Sequence, residues 1–131
     1  MIKKIVIKGK AGDGVQFVGL MLSRTLTERG FNVALSHDYS PLVRKGVSSA
    51  FIFYSDEEIN NPLFRDAELK YDITNESFRD ELEAKGKLNM VLLSRILKDI
   101  NVKVTEDEIR NFLGEKFTKE NLKAIQYFYE D

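Results

Sequence analysis

The sequence predicts an α/β fold on a small, mainly parallel sheet, reduced in strand number, with helices gathered toward the C-terminus. Three observations predict it: β-branched residues open the chain, a glycine-rich turn follows them, and a helix-periodic stretch then leads into a second apolar run. With 131 residues the chain is long enough for one hydrophobic core and too short for two, so a single domain over 1–131 is expected.

The first strand is expected over 2–7, where Ile5, Val6 and Ile7 are adjacent branched residues of the kind buried on both faces of a parallel sheet, and Gly9 ends it. From Val15 to Arg29 the residues Val15, Val18, Leu22 and Leu26 recur at helical spacing. Phe17, Leu20 and Met21 widen that stripe, and Gly30 is placed as its C-terminal cap. Residues 31–35 supply the second strand. Strand, glycine turn, helix and strand form a crossover, right-handed by the handedness rule, within a Rossmann-like unit of two or three layers.

Residues 36–48 form a polar connection broken by Pro41 and Gly46. The unbroken Ala50-Phe51-Ile52-Phe53-Tyr54 then reads as an interior strand. The charged stretch 55–65, interrupted by Pro62, reads as surface loop. Leu69, Tyr71 and Ile73 alternate with polar residues, as in a half-exposed strand at an edge. Thr74 or Asn75 caps a short helix carrying Phe78 and Leu82, which Gly86 closes. A longer helix places Leu88, Val91, Leu92 and Ile96 on one face, with Leu93, Leu97 and Ile100 beside them. Thr105-Glu106-Asp107-Glu108 has the capping-box pattern, and the helix behind it would bury Ile109, Phe112 and Leu113. A last helix, from about Lys119, places Leu122, Ile125 and Tyr129 on one side. The successive Tyr127, Phe128 and Tyr129 cannot all face inward, so at least one is expected at an interface or partly exposed.

Twenty Lys and Arg against 21 Asp and Glu give a net charge of -1, which excludes a strongly basic nucleic-acid domain. The balance is uneven: residues 1–45 hold 8 basic and 3 acidic side chains, residues 46–131 hold 12 and 18. The lack of Cys removes thiolate-held iron-sulfur clusters, disulfides and cysteine nucleophiles together. No run approaches the roughly 18 apolar residues of a membrane span, and the chain start lacks the features of a secretory signal, so a cytoplasmic location is expected. The glycosylation pattern at Asn75-Glu76-Ser77 carries no weight in that compartment.

The strongest local signal is Gly9-Lys10-Ala11-Gly12-Asp13-Gly14-Val15, between a strand and an amphipathic helix. Clustered glycines bring backbone amides close to a ligand, and a helix start adds unpaired N–H groups at the positive end of its dipole. That is a recipe for an anion seat, and equally for a tight turn that only lets helix and sheet pack closely. The spacing is G-x-x-G-x-G, not the dinucleotide pattern, and Val15-Gln16 stand where a nucleotide-hydrolysing phosphate loop needs Lys and Ser or Thr. Asp13 can itself occupy the dipole end. Gly19, inside the helix at a cost of about 1 kcal/mol, signals close approach to the sheet or to another chain. Among residues 37–45, His37 and Asp38 form a weak catalytic pair, with a solvated or structural His37 the simpler reading. Arg44 and Lys45 are the better anion clamp, unless they are interface or surface charge. One His and no Cys give no metal set, and Asp56, Glu57 and Glu58 read as a solvated turn.

These residues resemble the gamma subunit or gamma domain of the 2-oxoacid:ferredoxin oxidoreductases, the group of pyruvate and 2-ketoisovalerate ferredoxin oxidoreductases. The matching segments are Gly9–Gln16, Gly19 and Leu22, Gly30, the turn Tyr39-Ser40-Pro41-Leu42-Val43-Arg44-Lys45-Gly46, and Tyr54–Ile59. Lys45 departs from the family's usual glycine. Residues 88–93 and 121–124, with Asn89 and Asn121, are similar to the family's last two helices, and 60–85 stands as a shortened connecting region. The resemblance implies that a whole complex oxidatively decarboxylates a 2-oxoacid to an acyl-coenzyme A and passes electrons to ferredoxin. It implies thiamine diphosphate and iron-sulfur clusters on partner chains, and no cofactor held by this chain alone beyond a coenzyme A contact. The binding residues so implied are Gly9, Gly12, Asp13, Gly14, Arg44 and Lys45, with no catalytic or metal residue. The chain is then a non-catalytic or accessory subunit whose partners are the other subunits, with no nucleic acid and no membrane. The alternative is a stand-alone homodimeric or homo-oligomeric assembly protein without catalysis. A small nicotinamide- or flavin-binding oxidoreductase is a third reading, disfavoured by the glycine spacing.

Overall fold

The computed structural model describes residues 3–37, 46–56, 69–114 and Lys119, and the chain divides into two units, Met1–Glu76 and Ser77–Asp131. In the first unit, β1 (Lys3–Lys10), β2 (Asn32–His37), β3 (Val47–Ser55) and β4 (Leu69–Asp72) form one sheet in the order β2-β3-β1-β4. The helix α1 (Val15–Glu28) connects β1 to β2. The expected α/β class, the interior place of β3 and the edge place of β4 are all present.

The strands β1 and β2, joined by α1, point the same way as the expected crossover requires, and the departure from the expected mainly parallel sheet lies in β3. It runs antiparallel to both β1 and β2, pairing Ile5 with Ile52 and Leu35 with Ile52. Only β1 and β4 form a parallel ladder, from Ile5↔Leu69 to Lys8↔Asp72. Thus β1, β2 and β4 point one way, and β3 is inserted between β1 and β2 against them. The physical reason is loop length: the nine residues 38–46 suit an antiparallel return, whereas a parallel crossover needs about a dozen or more.

On one face of the sheet Ile5, Ile7, Ala50 and Ile52 are fully buried and Tyr71 nearly so. Alternate residues of β1 are only half-buried, so Val6 does not share the burial expected of the Ile5-Val6-Ile7 run. The helix α1 lies on the buried face through Gly19, where an added Cβ would stand 3.1 Å from Ala50 Cβ and 3.4 Å from Leu35 Cδ1. Val15, Val18, Met21, Leu22 and Leu26 form its buried stripe. Leu20, expected in that stripe, is instead 49% exposed. It lies in line with Gln16, Arg24 and Thr27, the exposed positions at helical spacing on the far side.

Gly30 (φ 89°) ends α1 in a Schellman motif, with Phe31 N–H donating to Leu26 O (3.1 Å) and Gly30 N–H to Thr27 O (3.0 Å). Phe31 then packs edge-on against Tyr54, ring centroids 5.4 Å apart.

The second unit holds α2 (Glu76–Glu83, which starts one residue before it), α3 (Leu88–Asp99) and α4 (Glu106–Leu113). In α3, Met90 to Ser94, Ile96 and Leu97 are all buried, a run that covers every side of the helix. It ends like α1, with Asn101 (φ 59°) in the glycine place and Val102 N–H donating to Leu97 O at 2.9 Å. Arg95 ties α3 to α2: its guanidinium lies 3.5 Å from Glu81 Oε1, 3.4 Å from Asp99 Oδ2 and 6.0 Å from the Phe78 ring centroid. The expected capping box of α4 is present, Glu108 N–H donating to Thr105 Oγ1 and Thr105 N–H to Glu108 Oε1, each at 3.2 Å. The side chains of Phe112 and Leu113, the helix expected after Lys119 and the aromatic run 127–129 lie outside the described residues.

Candidate functional site

The carboxyl ends of β1 and β2 and the amino end of β3 share one edge of the sheet, because β3 runs against its neighbours. Ligands of open α/β sheets gather at the edge where parallel strands end. The glycine turn lies there. Its backbone reverses through Gly12 (φ 91°) and Gly14 (φ 84°, ψ 22°), both in the left-handed region that glycine alone enters freely. An added Cβ at Gly12 would meet nothing within 4 Å among the described residues.

Asp13 is folded back on the turn: its Oδ2 accepts from Lys10 N–H at 2.7 Å while its own N–H donates to Lys10 O at 3.0 Å. Gly14 is the N-cap of α1 and makes no side-chain cap hydrogen bond, and the first turn of α1 carries no acidic residue. The helical ladder begins with Val18 N–H to Gly14 O at 3.0 Å, so the amides of Val15 and Gln16 precede it. From the other side Ala11 N–H donates to Gly46 O at 2.6 Å, joining the turn to the approach of β3.

Between these elements lies a cleft of about 390 Å³ lined by Lys10, Ala11, Gly12, Gly14, Val15, Gln16, Val47 and Ser48. A cation, a hydroxyl and helix-start amides converge there, the donor set an anion needs. Of the expected binding residues, Gly12 and Gly14 line the cleft, while Asp13 and Gly9 do not. Gly9 is a packing glycine: an added Cβ would stand 2.7 Å from Val15 Cγ2 and 2.9 Å from Ile73 Cγ1. Arg44 and Lys45 lie outside the described residues, as do Asp38 to Val43.

Sequence reasoning missed Lys10, Gln16, Val47 and Ser48. Lys10 could have been found, since a cation inside a glycine turn is carried to the turn's mouth. Val47 and Ser48 reach it only through the antiparallel return of β3. His37 ends β2 half-buried, with its Nδ1 buried and without a hydrogen-bond partner among the described residues, and it is not among the lining residues of the cleft. Among the described residues no group of three or more His, Cys, Asp or Glu could hold a metal ion, and no helix is long and apolar enough to cross a membrane.

Residues 4–73, from β1 through the start of the segment after β4, match the pyruvate ferredoxin/flavodoxin oxidoreductase family. The 2-oxoglutarate synthase subunit KorC of Archaeoglobus fulgidus is 30% identical over 82% of this chain, and that of Methanothermobacter marburgensis 29% identical over 88%. The chain spans 60% of the length of each of these two relatives. Among solved structures, the pyruvate oxidoreductase subunit PORC of Thermotoga maritima has a TM-score of 0.62 at 18% identity, covering 99% of this chain and 96% of that one. The gamma subunit of a keto/oxoacid ferredoxin oxidoreductase from Geobacter sulfurreducens has a TM-score of 0.65 at 15% identity, covering 99% and 95%. A 2-oxoglutarate:ferredoxin oxidoreductase chain from Magnetococcus marinus, in a structure with 2-oxoglutarate, coenzyme A and succinyl-CoA bound, has a TM-score of 0.63 at 14% identity, covering 98% of this chain and 30% of that one.

Proposed function

The chain belongs to the pyruvate ferredoxin/flavodoxin oxidoreductase family, and from that premise we propose that it serves as an accessory gamma-type subunit of a 2-oxoacid:ferredoxin oxidoreductase, seating the anionic end of coenzyme A in the glycine-turn cleft. The observation that carries this reading is the open turn: Gly12 has free space where a Cβ would stand, and the cleft beside it is lined by Lys10 and Ser48. The amides of Val15 and Gln16 donate to a phosphate oxygen, the Lys10 ammonium neutralises its charge, and the Ser48 hydroxyl adds a donor from β3. Asp13 holds the turn in shape from the Lys10 amide, and Gly9 seats the turn against α1 through Val15. These groups bind and orient. A chain with no cysteine has no thiolate for an iron-sulfur cluster, so the clusters and the thiamine diphosphate chemistry are assigned to partner chains. The curated relatives named 2-oxoglutarate synthase subunit support a place in such an assembly. Arg44, Lys45 and the stretch 60–85 belong to the same reading, the first two as further cations for the anion and the last as a shortened connecting region.

Calorimetric titration with coenzyme A, on the isolated chain and on the chain reconstituted with thiamine- and cluster-bearing partners, tests the ligand. Saturable heat in either preparation supports it, and no heat in both removes it.

A further inference from the structure

The two edges of the sheet differ in kind. At one, β4 is four residues long and carries Lys70 and Asp72, the shortness and charge that keep an edge from pairing with another chain. At the other, β2 is six residues long and holds no Lys, Arg, Asp, Glu, Pro or Gly. Nothing in its composition guards it. Its ladder with β3 uses one side, and the alternate N–H and C=O groups of the other side have no strand beside them in the described sheet. Val33 and Leu35 stay half-buried and Asn32 and Ser36 exposed, whereas Ile5, Ile7 and Ile52 of the interior strands are fully buried.

Leu35 faces α1, since an added Cβ at Gly19 would stand 3.4 Å from its Cδ1, and Val33 shares that face by alternation. Asn32, Ala34 and Ser36 take the other face. The segment Asn32-Val33-Ala34-Leu35-Ser36 is therefore the same in kind from either end: polar, apolar, small, apolar, polar. We propose that β2 pairs antiparallel with β2 of a second copy of this chain, about a two-fold axis through Ala34. In that register Val33 meets Leu35 of the second copy, Asn32 meets Ser36 of the second copy, and Ala34 meets its own counterpart. Every opposed pair is matched. A two-fold contact demands this self-complementarity, and pairing with a strand of a different chain does not. Moving the axis to Leu35 opposes Val33 to His37 and Ala34 to Ser36, and the match is lost. The helix α1 fits the same arrangement. It lies over the seam between β3 and β2, because the Cβ at Gly19 would also stand 3.1 Å from Ala50 Cβ. With paired strands about 4.8 Å apart, the two α1 helices run side by side at about 10 Å, the spacing of packed helices. Leu20 is exposed while Met21 and Thr25, on the opposite flank of α1, are buried, and it is the apolar side chain this contact covers. The pairing stands apart from the coenzyme A reading, and the two fail separately.

Sedimentation equilibrium of the full chain, with circular dichroism of each protein, tests this on the wild type, N32K/S36K and N32K/S36E. The first variant opposes Lys to Lys twice across the two-fold axis and the second opposes Lys to Glu twice, while both carry the same change at Asn32. The expected result is a wild-type dimer, an affinity on the order of 10-fold weaker in N32K/S36K at low salt, and one within about 3-fold of the wild type in N32K/S36E. Hydrogen exchange on the wild type gives a readout that survives a variant's failure to fold: the amides of Val33 to Ser36 are expected to exchange more slowly as protein concentration rises. A wild type that stays monomeric up to about 1 mM overturns the proposal. So does a dimer that both variants weaken alike or leave unchanged, and so does exchange in β2 that is independent of concentration.

Discussion

At Gly9 an added Cβ would stand 2.7 Å from Val15 Cγ2 and 2.9 Å from Ile73 Cγ1, whereas at Gly12, in the same turn, none of the described residues lies within 4 Å and φ is 91°. The first glycine lacks a side chain because there is no room for one. The second lacks one because the backbone conformation excludes it, in open space. The turn therefore has a closed seam toward α1 and an open mouth toward the cleft. Sequence reasoning grouped both as anion-binding glycines; the structure separates packing from presentation, and substitutions separate them further.

The largest effect is expected at the seam. Gly9→Ala must displace Val15 and Ile73, which are themselves buried, and should destabilise the protein by about 2–3 kcal/mol. Urea denaturation measures this, and a loss below the uncertainty of the midpoint would break the contrast. At the mouth, Gly12→Ala meets no atom but must hold a left-handed conformation, at a cost of about 1–2 kcal/mol. Its signature is a D-alanine replacement by chemical ligation, which accepts positive φ and should restore stability. Next comes Gly19→Ala, where the gain of about 1 kcal/mol in helix propensity opposes the 3.1 Å approach to Ala50 Cβ. Because Ala50 lies on the central strand and cannot swing aside, net destabilisation of about 1 kcal/mol is expected, and a double-mutant cycle with Ala50→Gly should show coupling. As a control remote in sequence from the turn, Thr105→Ala removes the capping box of α4 and should cost about 1 kcal/mol without changing coenzyme A affinity.

Much of this fold is legible in the residues. The stripe from Val15 to Leu26, the close approach at Gly19, the buried run of β3, the alternation at Leu69 and Tyr71 and the capping box at Thr105 each follow from spacing alone. The direction of β3 does not, because an interior strand has the same apolar run whichever way it points. The length of 38–46 held that information, since nine residues are too few for a crossover. The exposure of Leu20 was hidden because an apolar residue beside a buried stripe reads as part of it, although it falls in line with Gln16 and Arg24. The glycines that line the cleft were legible and Val47 and Ser48 were not, since those two reach it through tertiary pairing. Asp13, read as a rival for the helix dipole, accepts from the Lys10 amide instead.

The account turns on amides that face the cleft from the turn and the start of α1. Backbone amide resonances of the ¹⁵N-labelled chain, followed during titration with coenzyme A and with phosphate-free pantetheine, test this most directly. The prediction is that coenzyme A moves the amides of Gly12, Gly14, Val15 and Gln16 most, with shifts that weaken in salt, and that pantetheine leaves them in place. Saturable binding of coenzyme A that leaves those four resonances unmoved would contradict it.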